Sequence, residues 1–494
     1  MTDEILEGVL DEFKKLAEIP RPSKHEEKVS AYLYQHLITL GFEVTQDQFK
    51  NIIVEVPASE GKENAPLTIL QAHMDMVCVA ENGYNYDPLT SPIKLVRDEK
   101  FLTAEGTSLG ADDGIGIAEI LYITKNFFEG KFENIPHGPL RLIFTTDEEQ
   151  GMSGAINIYK EHLEDAQFLI NCDSENFDEI AVGSAGNMYV DFTRQINFVD
   201  AEIFLSASNS RASMKIKVDG LRGGHSGIEI DDNRANAIKI LARILSELNL
   251  RGNVRLANIN GGKAYNVIPS NAEAVILTDL SLENVKNFVK EFSAQVKKIF
   301  IDEVNLKIDV EEVDIPEKIF STEDFTKLLD LITMIHSGIL STSSTTPKFT
   351  QASNNLAMIR TDDKKVELHL MPRFNIDELA DEFKFLNETL AKLTNFDVKF
   401  SGHSPAWNYN PNSKLAKIAA EVFNSQNNFS AQIKIIHAGL ECSYFSKKNP
   451  ELDIISIGTT NEFIHSTDER LHLDTVTPQV NLIVEILRKI SELE

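Results

Sequence analysis

The stretch from Leu70 to Ala118 constrains this chain most, because it opens LQAHMDMV and closes SLGADDGIGIA. The apolar run PLTILQAH reads as a central strand with both faces covered, and the residues after Asp112 read as a helix. His73 and Asp75 then stand at the carboxyl end of that strand, and Asp112 stands at the mouth of the helix. In open α/β sheets that carboxyl edge is where ligands bind. An imidazole and two acids gathered there make a metal site the first expectation.

Other stretches deliver similar groups. PLRLIFTTDEE is a second buried strand, ending in Glu148 and Glu149, and FLINCDSE is a third, ending at Asp173. Amphipathic helices over residues 4–18 and from Ser23 to Gly41 precede them, so residues 1–180 alternate helix and strand. That rhythm predicts an α/β fold with a mainly parallel, helix-covered sheet. After GSAG at Gly183–Gly186 the pattern becomes strand, helix, strand, strand, helix, strand, twice over, with helices near 232–249, 282–301, 321–336 and 376–394. Past Trp407 the first rhythm resumes with a helix over 411–425, a strand IKIIH, a helix from near Gly439, a strand DIISIG and a helix over 475–492. The expected architecture is therefore a catalytic domain of residues 1–186 and 402–494. An α+β domain, ferredoxin-like and doubled, is inserted at 187–401. A chain of 494 residues exceeds what one hydrophobic core supports.

Charge and composition narrow the partners. A formal net charge of -28 without a clustered Lys/Arg surface argues against nucleic acid and anionic membranes. Cys78, Cys172 and Cys442 show no disulfide or zinc-type spacing. No apolar run approaches the roughly 18 residues of a membrane span. The first twenty residues lack the basic start and apolar core of a signal peptide. A cytoplasmic protein acting on small molecules fits these bounds.

Singly, each acid or imidazole has a structural explanation: His73 a hydrogen-bonded core residue, Asp112 a helix cap, Glu148 and Glu149 a solvated pair. Together, His73, Asp112, Glu149, Asp173 and His465 read as five strand ends on one sheet rim, the complement for two divalent ions sharing a carboxylate. The natural allocation puts His73 and Asp173 on one ion, Glu149 and His465 on the other, and Asp112 across both. Two zinc ions suit this nitrogen and oxygen donor set, and cobalt or manganese can substitute. Asp75 suits the carboxylate that orients a ligating imidazole. If Glu149 is a ligand, Glu148 is free to act as general base and then acid.

HMDMV, GTSLGADDGIGIA, TTDEEQGMSGA, GGHSG at Gly223–Gly227, AYNVIP at Ala264–Pro269 and IHAGLEC at Ile436–Cys442 together resemble the aminoacyl-histidine dipeptidases. That zinc family also holds carnosinases, dipeptidases of lactic acid bacteria and glutamate-releasing carboxypeptidases. The resemblance covers nearly the whole chain in order. It implies that His73, Asp112, Glu149, Asp173 and His465 are metal ligands, Glu148 the base and Asp75 the orienting aspartate, with a cis bond between Asp112 and Asp113. The inserted domain would be a lid whose His225 binds the substrate carbonyl, with Asn266 a second contact and Arg373 a candidate for the substrate carboxylate. The structural alternative for His225 is a glycine-flanked cap of the 232–249 helix, and Arg373 on its own reads as a surface arginine.

The implied reaction is hydrolysis of Xaa-His dipeptides, carnosine among the candidates, by a zinc-bound hydroxide that Glu148 generates. Other di- or tripeptides and N-acyl amino acids are the alternative substrates, and a non-catalytic metal- or peptide-binding protein is the alternative class. A lid this long can supply its histidine within one chain, which leaves a homodimer open. FIHSTDE, with Phe463 and Ile464 where the family has NAHSPDE, Ser443 after Cys442, and the segment around HLMPRF are departures that bear on side-chain preference.

Overall fold

All six residues of the strand Thr68–His73 are buried, as its unbroken apolar run requires. It pairs in parallel with Leu140–Thr145 on one side and Phe168–Asn171 on the other, and Asp453–Ser456 extends the parallel block. The structure, a computed structural model, describes residues 3–207, 212–344 and 347–493. Two compact units form, Met1–Ser184 with Tyr409–Ile435 and Leu440–Glu494, and Ala185–Asn408 with Ile436–Gly439.

The sheet of the first unit has eight strands and is mixed. The four central strands just named run parallel, whereas Glu43–Gln46 and Ile52–Val56 join antiparallel on one side and Glu179–Ser184 on the other. The expectation of a mainly parallel sheet holds for this centre. The short turn after Gln46 reverses the chain, because only a long crossover returns a strand in parallel. One such crossover is the helix Ala111–Phe128, whose Asp112 is extended at φ -77° and ψ 111° and joins Asp113 through a cis peptide bond.

His465 follows the strand Asp453–Ser456 on a loop, and that loop is a hairpin the sequence did not show. The residue lies between Asn461–Glu462 and Arg470–His472, and the second of these strands pairs with Phe101–Ala104. Strands of two and three residues are too short to show a period of two in sequence. The helix expected from near Gly439 starts at Cys442.

The second unit is built on a nine-stranded sheet. Ala212–Asp219, Ala237–Arg251, Val254–Gly261, Ala272–Thr278, Leu282–Ile299 and Lys307–Glu312 run strand, helix, strand, strand, helix, strand, in sheet order last, first, third, second. The other half has the same rhythm. It comprises Gly186–Gln195, Thr322–Met334, Thr350–Thr361, Lys365–Phe374, Leu379–Thr394 and Asp397–Ser404, with the first set spliced in after its first strand. Gly261 and Ile359 pair where the halves meet. The helix expected over 232–249 begins at Ala237, because the Asn236 side chain accepts the amides of Ile238 and Lys239. Such a cap satisfies donors the helix cannot.

One core residue is out of character. Glu119 is fully buried on the Ala111–Phe128 helix, and neither carboxylate oxygen has a partner. Burial pushes its carboxyl well above the usual range, so the folded chain favours the protonated form. The stability this confers is complete below the ordinary carboxyl value and is lost as pH rises through the folded value. Glu119→Gln should therefore raise the melting temperature by an amount that widens as pH is raised from about 5 to 8. A difference flat with pH in thermal unfolding would contradict this.

Candidate active site

Three of the predicted ligands follow parallel strands: His73 ends Thr68–His73, Glu149 follows Leu140–Thr145 next to the predicted base Glu148, and Asp173 follows Phe168–Asn171. The other two arrive differently from the five strand ends expected, Asp112 at its helix mouth and His465 on its hairpin. All five converge. His73 Nε2 is 3.0 Å from Asp112 Oδ1 and 3.4 Å from Asp173 Oδ1. His465 Nε2 is 3.0 Å from Asp112 Oδ2 and 2.9 Å from Glu149 Oε2. The two oxygens of Asp112 thus face different imidazoles. Ligand atoms of His73, Asp113 and Asp173, of His73, Glu148 and Glu149, and of Asp112, Glu149 and His465 form three groups, each within 4.8 Å. Asp113 is an addition that sequence did not suggest, and its Oδ2 also accepts the His73 amide at 3.1 Å.

Asp75 ties two parts of this cluster together. Its Oδ1 lies 3.5 Å from His73 Nδ1, while its two oxygens accept the amides of Glu148 at 2.9 Å and Glu149 at 3.2 Å. One buried carboxylate so faces an imidazole and anchors the turn that carries the acidic pair. The turn is tight, with Asp147 in the left-handed region at φ 59°.

The electrostatics call for a cation. Burial pushes Glu148 well above the usual carboxylate range, with the charge of Asp173 adding to it. Burial also drives Asp173 up to about 6, and burial with the Asp112 charge drives Glu175 up to about 7. Burial works against the His465 imidazolium, but hydrogen bonds to Asp112 and Glu149 outweigh it and hold the ring up to about 11. Carboxylates this crowded hold their charge together only with positive charge among them. Imidazole nitrogens and carboxylate oxygens are also donors that divalent transition metals take, so the residues present fit such ions.

Sequence reasoning gave no role to Glu441, although its motif was noted. It is fully buried, accepts from Gln71 Nε2 and Thr145 Oγ1 at 2.6 Å each, and is pushed up to about 8 by burial. Arg21 and Glu469, both buried, also went unassigned. Long-range contacts define all three, and no local pattern marks them.

In the second unit His225 and Arg373 come together. Arg373 is buried, at 3% exposure, which overturns its reading as a surface arginine. It sits on Lys365–Phe374 beside Ser353, and its Nη2 is 3.3 Å from His225 Nε2. His225 does not cap the helix after Asn236. Its Nδ1 accepts the amides of Ile228 at 3.1 Å and Gly227 at 3.3 Å. Burial and Arg373 push the ring down to about 4, so it is neutral at pH 7 with its proton on Nε2. A ring N–H and a guanidinium N–H then abut with no acceptor between them, and Arg373 Nε is buried without a partner. That arrangement leaves both donors available to oxygens of a bound molecule.

Asn266 is exposed, and the loop that carries it is held by its own carbonyl to the Ser226 amide at 2.8 Å. Close by lies His437, whose Nδ1 donates to Asn375 Oδ1 at 2.6 Å and whose Nε2 accepts from Ser353 Oγ at 2.8 Å. Burial pushes it down to about 3, so it too is neutral.

A mixed α/β sheet whose parallel strands deliver imidazole and carboxylate to one rim defines a metallohydrolase-type centre. Residues 69–489 match Peptidase family M20/M25/M40, and the chain belongs to that family. It is 34% identical over 482 residues to a cytosol non-specific dipeptidase of Escherichia coli (strain K12), covering 97% of each chain. Its structure is similar to that of an aminoacylhistidine dipeptidase from Vibrio alginolyticus, with a TM-score of 0.87 at 30% identity over 99% of this chain and 98% of the other. An M20 family metallo-carboxypeptidase from Sulfolobus solfataricus shares the fold at 15% identity and a TM-score of 0.55, over 100% of each chain.

The histidine and arginine cluster depends on Gly227. A Cβ there would stand 2.3 Å from the His437 carbonyl oxygen, 3.0 Å from His225 Cε1 and 3.2 Å from Arg373 Cζ. Gly227→Ala should destabilise the chain by about 1–3 kcal/mol, the usual penalty for overpacking. Denaturant unfolding that matches the wild type would show that the cluster gives way without cost.

Proposed function

We propose that this chain is a metal-dependent dipeptidase, cleaving Xaa-His and related dipeptides, with the first unit as catalytic domain and the second as lid. The observation that carries the reading is Asp112, whose two oxygens each lie 3.0 Å from a different imidazole. His73 and Asp173 would hold one ion and Glu149 and His465 the other, with Asp112 available to both. Zinc is the expected metal, with cobalt or manganese able to replace it. When bound, the ions supply Lewis-acid polarisation and lower the proton affinity of water.

The protein's own groups do the rest. Glu148 takes the proton of the attacking water and returns it to the leaving amine, a role suited to a buried carboxyl whose proton affinity is raised. Asp75 fixes the amide of Glu148 and faces the ring of His73. His225, neutral and protonated on Nε2, donates to the developing oxyanion. Arg373 binds the peptide's carboxylate, which suits a guanidinium fork, and Asn266 adds a further polar contact. The protein works in the cytoplasm, in line with the name of its Escherichia coli relative and the absence of a helix long and apolar enough to cross a membrane among the described residues. Light scattering decides between a monomer and a homodimer.

A second reading, a broad dipeptidase with no preference for histidine, has support in the different names of the two relatives at 30% identity and above. A panel of dipeptides, tripeptides and acyl amino acids separates the readings. Faster cleavage of Xaa-His supports the first, equal rates on all dipeptides the second, and inactivity on every dipeptide rejects both. Glu148→Gln should lower kcat by about 100- to 10,000-fold while metal analysis finds the wild-type content. Turnover near the wild-type rate would remove Glu148 from the mechanism.

A further inference from the structure

Two buried side chains of opposite charge hold the backbone that runs beside His73 and into Asp112. Arg21, fully buried, donates through Nη1 to the carbonyls of Met74 at 3.0 Å and Asp75 at 2.9 Å, and through Nη2 to the carbonyl of Gly110. Glu469 reaches the same turn from the other side. One of its oxygens accepts the amides of Leu109 at 2.8 Å and Gly110 at 3.0 Å, and the other accepts those of Ala111 at 2.8 Å and Asp112 at 3.4 Å. Gly110 is left-handed at φ 69°, and a Cβ on it would run into Arg21 and Met76, so the turn is packed between them.

Glu469 lies four residues after His465 on the same hairpin, whose strands pair with each other and with Phe101–Ala104. One hairpin thus presents His465 to Asp112 Oδ2 and at the same time holds the Asp112 amide. Arg21 performs the matching task from the strand end of His73 and Asp75.

We infer that Arg21 and Glu469 are positioning residues, a clamp that fixes Asp112 between the two imidazoles and thereby sets the affinity of the ion shared by Asp112, Glu149 and His465. The clamp rests on the metal assignment proposed above. Glu469 governs the His465 side. Arg21, whose bonds run to Met74, Asp75 and Gly110, governs the His73 side. In Glu469→Gln, one oxygen becomes an amide donor that faces amide donors, so the turn loses its hold while volume is kept. The ion assigned to His73 and Asp173 keeps those two ligands and is weakened only through Asp112, whereas the other also depends on the hairpin that carries His465 and Glu469.

The test is a calorimetric titration of metal-free protein with zinc, read as two separate affinities, with thermal unfolding of the metal-free proteins as the folding control. In Glu469→Gln one of the two ions should bind about 10- to 100-fold less tightly, as loss of a ligand's supporting contact does elsewhere, while the other weakens by less. Glu469→Asp retains a carboxylate and should fall between that variant and wild type. kcat at limiting zinc should drop in step and recover with excess zinc, leaving KM for the peptide unchanged. Two unchanged affinities in Glu469→Gln, or equal weakening of both, would overturn the clamp. If Glu469→Gln does not fold, the same two-affinity comparison applies to Glu469→Asp. A wild-type protein that takes up fewer than two ions would overturn the metal assignment and the clamp with it.

Discussion

Asp112 is the residue on which the first unit is built. Its oxygens each lie 3.0 Å from a different imidazole, and its amide is held by Glu469. Its own backbone is extended at the point where a helix begins. A half-buried carboxylate between two rings, with Glu149 and Asp173 close by, gathers more negative charge than imidazoles alone balance. Glu149 and Asp173 sit past the carboxyl ends of parallel strands, where backbone pairing stops, and Asp112 joins them from the mouth of its helix.

Much of that arrangement was legible in the sequence. Buried strands announce themselves by unbroken apolar runs, and the direction of the sheet fixes the edge at which each run ends. His73, Glu149 and Asp173 could therefore be placed on one rim from order alone. The same logic misplaced the outer strands, which reverse direction through turns too short for a crossover. It also missed the hairpin of His465, because strands of two and three residues carry no readable period. Arg373 looked like a surface residue because a lone arginine in a strand carries no sign of burial. Arg21, Glu441 and Glu469 were silent for another reason: their partners lie 53 to 370 positions away.

The second unit shows the same economy in a different form. His225 is kept neutral by burial and by Arg373, and its tautomer is fixed by backbone amides at Nδ1. Two donors thereby stand side by side, and Gly227 keeps side-chain bulk away from both. Preorganised donors of this kind stabilise charge as it develops without reorganising at the moment of reaction. Phe463, exposed and left-handed beside the hairpin of His465, stands where the family resemblance leads one to expect a small polar residue. Side-chain preference is the property it bears on.

The central claim is that Asp112 bridges two ions. Loading the metal-free protein with manganese and recording its electron paramagnetic resonance spectrum tests this directly, because a shared carboxylate couples the two spins. The account predicts the multiline signal of an exchange-coupled pair at full loading. Two uncoupled six-line signals, or saturation at one ion per chain, would contradict it.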